Sequence, residues 1–183
     1  YAYYLRGDYE AAHGWYERAL RIVDAEGLVR LKHWILSMRA ACERRAGNVA
    51  AAQRTLLEIA STPPPHSGAV LALCRIVRAL TLASLGSSIA AVEEGLASQR
   101  EIEASGAIGL QALNCVHNAD ILLSAGEENA AKSRLAEARA LIAHTSMDAL
   151  RGTIALNQAY VAHLTGDVET RTACFREALE LLR

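Results

Sequence analysis

The sequence predicts an all-α fold: a right-handed α-solenoid of about four and a half antiparallel helix pairs, with a period of about 40 residues. Three observations carry that expectation. A glycine turn recurs at Gly7, Gly47, Gly86, Gly126 and Gly166, in steps of 40, 39, 40 and 40 residues. Small or apolar residues stand 5, 9 and 12 places after most of these glycines, which puts them on one helical face. An alanine stands seven places before the last four, at Ala40, Ala79, Ala119 and Ala159. A helical hairpin copied at constant spacing cannot bury its faces alone, and stacking its copies completes a continuous core.

The elements follow in chain order. Residues 1–6 read as the tail of a helix that Gly7 ends. Glycine takes the left-handed conformation of such a turn without a Cβ clash. Asp8 then caps a helix over 9–26, with Ala12, Tyr16 and Ala19 on its inner face. A helix over 29–46 contains Ala40, and Gly47-Asn48 turns the chain into a helix over 48–61, with Ala52, Leu56 and Ile59 inside. The link "STPPPHSG" has a rigid-turn signature in Pro63 to Pro65. Next come helices over 67–85 and 87–104, joined by Gly86-Ser87. The second of these fits the pattern poorly at Ala91, Gly95 and Ser98, whereas a shift of one residue brings Val92 and Leu96 into place. Helices over 107–125 and 127–143 follow, the latter with Ala131, Leu135 and Ala138 inside; Glu127 lacks the capping pattern but suits the helix dipole. The last pair covers 147–165 and 167–183, with Arg171, Phe175 and Ala178 at the repeating positions.

Composition narrows the function. Apolar residues make up 52% of the chain and aromatics 5%, so helices pack through small side chains. The 19 basic residues are scattered and the net charge is -1, which argues against a nucleic-acid surface. No apolar run is long enough to span a membrane and no signal peptide is visible, so a cytoplasmic protein is expected. The chain begins at Tyr1 and reads as one repeat domain, residues 1–183, of a longer protein. Cys42, Cys74, Cys115 and Cys174 each fall inside a helical pattern without CxxC spacing, and are expected to be reduced, buried and free of metal. Six histidines form no HExxH pair, and no nucleophile and base share a local signature. The expectation is a protein without catalytic residues, metal or cofactor.

The candidate binding surface lies on the first helix of each pair. The residue just before the repeating alanine is Arg39, Arg78, Asn118 and Gln158, polar in four consecutive units. Asn114, His117, Asp120, Asn157 and Tyr160 stand nearby. In register, these side chains form either a groove of amides, hydroxyls and guanidinium groups for a sugar, a carboxylate or a peptide, or simply a solvated helix edge. Trp34 and Met38, one turn apart, read as core, with an exposed partner anchor as the other possibility. His163 occupies a packing position and reads as a hydrogen-bonded core residue. Tyr3, Tyr4 and Tyr9 stand near one end of the stack, where an uncovered face permits self-association.

The stretch "GDYEAAHGWYERALRI" resembles the second half of a tetratricopeptide repeat, through Gly7-Asp8-Tyr9, Ala12, Tyr16 and Ala19. Gly166-Asp167, Phe175 and Ala178 match in the last unit, and Pro64 falls at the motif's terminal proline. The first-helix pattern of Trp, Leu, Gly and Tyr is mostly missing, with alanine in the glycine's place. The period exceeds the usual length of about 34 residues. Long alanine-rich units such as "YLRGDYEAAHGWYERALRIVDAEG" resemble the superhelical region of MalT-type regulators, the large ATP-binding members of the LuxR family. That resemblance implies a non-catalytic sensor region that receives a small-molecule inducer or a protein or peptide partner. Its ATPase and DNA-reading neighbours would lie elsewhere, because neither a GxxxxGK[ST] loop nor a basic recognition helix occurs here. A general adaptor for peptide segments and an enzyme with a groove between repeats are the alternatives.

Overall fold

The computed structural model describes residues 7–61 and 68–182, which form helices and turns with no strand among them. In order the helices are α1 Tyr9–Ala25, α2 Val29–Arg45, α3 Val49–Ala60, α4 Gly68–Ser84, α5 Ser88–Glu103, α6 Ile108–Ser124, α7 Glu128–Leu141, α8 Asp148–Leu164 and α9 Val168–Leu181. Each lies within two residues of the span its periodicity predicts. The tail of the first predicted helix with Tyr3 and Tyr4, the proline link and His66 fall outside the described residues.

The turns explain the hairpins. Three residues separate α2 from α3, so the chain must reverse at once. Gly47 does this at φ +81°, donating its N–H to Arg44 O while Asn48 N–H reaches back to Glu43 O. Those bonds satisfy carbonyls that the helix end would leave open. The Asn48 side chain then accepts from Ala51 N–H and starts α3; Asp8 and Asp167 cap α1 and α9 in the same way. Glu127 makes no side-chain cap bond.

Two further glycines, Gly27 and Gly106, also sit at positive φ and close the links from α1 to α2 and from α5 to α6. The link from α7 to α8 has no such glycine. There the Arg151 guanidinium donates to the carbonyls of Ala143 and Thr145, at 3.0 and 2.6 Å, and holds the exit of α7.

The chain divides into two compact units, Tyr1–Glu101 and Ile102–Arg183. In the first, α2 packs on α1, α3 and α4. Tyr16, Leu20 and Val23 of α1 meet Leu36, Met38 and Cys42 of α2 in its core. In the second, α7 and α8 pack on each other, α6 on both, and α9 on α8. Its core joins Cys115 and Val116 of α6 to Leu135 and Ile142 of α7 and Ile154 of α8. The repeating alanines Ala40, Ala79, Ala119 and Ala159 are fully buried, as close helix packing requires.

Four expectations change. In α5 the unshifted register holds: Ala91, Gly95 and Ser98 are buried and Leu96 is 45% exposed. The small residues let α5 approach α4 closely enough for the Ser98 hydroxyl to donate to Ala72 O at 2.8 Å. Met38 is core, but Trp34 is 39% exposed, because the buried face of α2 passes through Leu36 rather than Trp34. His163 is exposed and accepts from Arg171 Nη1 at 3.3 Å, because the buried face of α8 runs through Ala155, Ala159 and Ala162 and leaves His163 beside it. Cys174 is half-buried, whereas the other three thiols are buried and all four are free.

Candidate functional site

The polar position before each repeating alanine is engaged within the protein. On α2, Arg39 Nη1 donates to Glu17 Oε1 of α1 at 2.7 Å, and Nη2 donates to Glu58 of α3. Its Nε lies 3.7 Å from Glu43 Oε1. Burial works against the guanidinium charge, but the bonds to Glu17 and Glu58, with the fields of Glu58 and Glu43, outweigh it and raise the pKa above its ordinary value. Arg39 thus ties three helices together. On α4, Arg78 Nε lies 3.5 Å from Glu94 Oε1 and Arg75 donates to the same carboxylate from one turn earlier.

In the second unit the outcome differs residue by residue. Asn114 and Asn118 of α6 are buried and His117 is half-buried, so these three do not form an open ligand-lining row. On α8, Asn157 donates to its own helix at Thr153 O, and Tyr160 is exposed. Gln158 is half-buried and accepts from Arg139 Nη1 of α7 at 2.9 Å. Arg139 Nη2 in turn donates to Glu177 of α9 at 2.6 Å. The same helix-to-helix bridging recurs, with the cation moved from α8 to α7. Sequence reasoning missed Arg139 and Glu177: Arg139 stands 19 residues from Gln158 and 38 from Glu177, and neither carries a local signature.

Two cavities adjoin this bridge. One, of about 250 Å³, lies among α7, α8 and the start of α9. Its floor is Leu135, Val161 and Ala162, and its polar lining is Lys132, Gln158, Asp167, Thr170 and Cys174. The other, of about 300 Å³, is bounded by Arg139, Ala143, Arg151 and Glu177. In the first, Asp167 accepts from Thr170 N–H at 3.0 Å. That backbone bond, with the Thr170 side chain and the field of Lys132, holds the Asp167 carboxyl below its ordinary pKa. Burial, with Glu177 nearby, pushes the Cys174 thiol up, which favours the unreactive protonated form.

The first unit has a filled counterpart. Glu43 of α2 is buried, with Oε2 accepting from the Thr55 hydroxyl of α3 at 2.8 Å and Oε1 3.4 Å from His13 Nε2 of α1. Among the described residues no group of three or more His, Cys, Asp or Glu is placed to hold a metal ion, and no helix is long and apolar enough to cross a membrane.

No family model matches the chain, and no curated protein matches it. Its fold is similar to the crystal structure of BtubC (BKLC) from P. vanneervenii, with a TM-score of 0.70 over 94% of this chain and 71% of that one. At 15% identity the likeness is one of fold, an all-helical arrangement that the two chains share.

Proposed function

We propose that this chain is a non-catalytic recognition scaffold, a right-handed array of tetratricopeptide-like hairpins that serves as the ligand- or protein-binding sensor region of a MalT-like transcriptional regulator in the cytoplasm. The observation that carries the scaffold is the turn glycine, in left-handed conformation at Gly7, Gly47, Gly86, Gly126 and Gly166. Arrays of this kind present extended surfaces rather than a single deep pocket, and function by holding a partner. The alanine-rich units and their length support the MalT-like placement. Binding acts on such a regulator only if the partner has different affinity for two arrangements of the scaffold against its neighbours.

The general peptide adaptor draws support from a specific feature. Trp34 and Leu31, one turn apart on α2, are both exposed, and aromatic anchors of this kind recur in protein interfaces. The gene separates the two. A MalT-like regulator requires a phosphate-loop ATPase encoded upstream of this segment and a helix-turn-helix module downstream. A complete reading frame with neither one removes the regulator and leaves the adaptor, for which Trp34→Ala should weaken peptide capture by about tenfold.

A further inference from the structure

The filled slot of the first unit and the cavity of the second are counterparts. Gly7 corresponds to Gly126 and Gly47 to Gly166, a constant offset of 119 residues. On that offset His13 corresponds to Lys132, Arg39 to Gln158, Thr55 to Cys174 and Glu43 to Ala162. His13, Arg39 and Thr55 are the groups that surround the Glu43 carboxylate. Their three counterparts all line the cavity of about 250 Å³, and so does Ala162, where the carboxylate-bearing arm is missing. A packed site that loses a side chain keeps a hole when its walls do not collapse inward. Here the walls remain apart, and they are of the kind that receives a carboxylate.

We infer that this cavity binds the carboxylate of a ligand with a short aliphatic stem, seated where the first unit seats its own Glu43. The inference rests on the scaffold reading and names a ligand class for it. Each wall has a part. Lys132 supplies the cation that His13 supplies when protonated. Gln158 has its Oε1 taken by Arg139, which leaves its N–H groups as donors. Leu135, Val161 and Ala162 offer the stem an apolar floor. Asp167 opposes a second negative charge, since its carboxylate lines the same cavity and is held ionised by its bond to Thr170. The field of Lys132 already acts on Asp167, so the cavity carries no spare positive charge; a carboxylate seats there by lying nearer to Lys132 and the Gln158 N–H groups than to Asp167, and phosphate or a dianion is disfavoured. Two sources offer this carboxylate, a free short-chain acid and an acidic side chain of a partner, and the probes below distinguish them.

The test titrates the whole chain, labelled with nitrogen-15, and follows amide shifts at Lys132, Ala162 and Thr170. The probes are butyrate, its neutral isostere butyramide, and the peptides acetyl-Ala-Glu-Ala-amide and acetyl-Ala-Gln-Ala-amide. Saturable shifts are expected with a Kd on the order of 1 mM. Butyrate alone identifies a free acid as the source, and the Glu peptide alone identifies a protein side chain. Lys132→Ala, at an exposed position, should weaken binding by about tenfold or more. Ala162→Glu should abolish it by filling the cavity as Glu43 fills its slot. If that variant fails to fold, Lys132→Ala decides. The inference is overturned if neither carboxylate probe saturates, if butyramide or the Gln peptide binds equally well, or if Lys132→Ala leaves affinity unchanged. A negative result would leave the scaffold reading standing, because that rests on the recurring turn glycines, and its regulator role is tested separately by the encoded neighbours.

Discussion

Glu43 and Asp167 show what a single carboxylate contributes in two settings. Glu43 is buried among Thr55, His13 and Arg39, so its removal strands the Thr55 hydroxyl and part of the Arg39 charge. Glu43→Ala should cost about 1–3 kcal/mol of stability, measured as a lower urea midpoint. Glu43→Gln, which keeps the shape and an acceptor for Thr55, should cost less. Asp167 is a surface cap with a depressed pKa, chiefly from the Thr170 backbone bond. A depressed folded-state pKa means stability that is complete above the unfolded value, near the ordinary aspartate value of 3.8, and lost as pH falls through the lower folded value. Thermal midpoints should therefore fall as the pH is lowered through and below that range, and Asp167→Ala should remove this component of the pH dependence. Arg39 stands four residues before Glu43 on the same helix, but the partners from other helices were not legible in the sequence. Thr55 lies 12 residues away and His13 lies 30 residues back, and nothing local distinguishes a glutamate with companions from a solvated one. Arg39 was visible as a polar repeat position, but its engagement by Glu17 and Glu58 was not.

At the level of helices and turns, much was legible because the rules are local. Gly47→Ala should cost about 1 kcal/mol, since its φ of +81° strains any residue with a Cβ. The space around it is open, so the loss should come from the backbone alone and appear equally with Gly47→Ser. Helix α5 gives a sharper test because two registers compete for it. Ser98 is fully buried and bonded to Ala72 O, whereas Leu96 is exposed. Ser98→Leu should lose about 1–3 kcal/mol through overpacking, while Leu96→Ser should stay within about 0.5 kcal/mol. Equal losses at the two positions would refute the observed register. The preference for apolar residues suggested the shifted register. Close approach of α5 to α4 reversed it, because a small residue can be the one that packs best.

For the whole chain, stability is expected to be distributed over neighbouring hairpins rather than held by one centre. Leu135 is fully buried in the core of the second unit, and Leu135→Ala should cost about 2–5 kcal/mol. Amide exchange should then accelerate most across α6–α9, and uniform acceleration over all helices would refute that expectation. The sequence by itself determined the helices, their turns and the alanines at their contacts, because period, capping and left-handed glycine are properties of a few consecutive residues. Tertiary structure alone decided that Trp34 and His163 are exposed, that Arg39 and Gln158 bridge helices, and that Ala162 stands beside an open cavity while Glu43 fills its slot. Those outcomes depend on which side chains three adjacent helices bring to one point, and residues some 20 to 40 positions apart leave no periodic trace of that meeting.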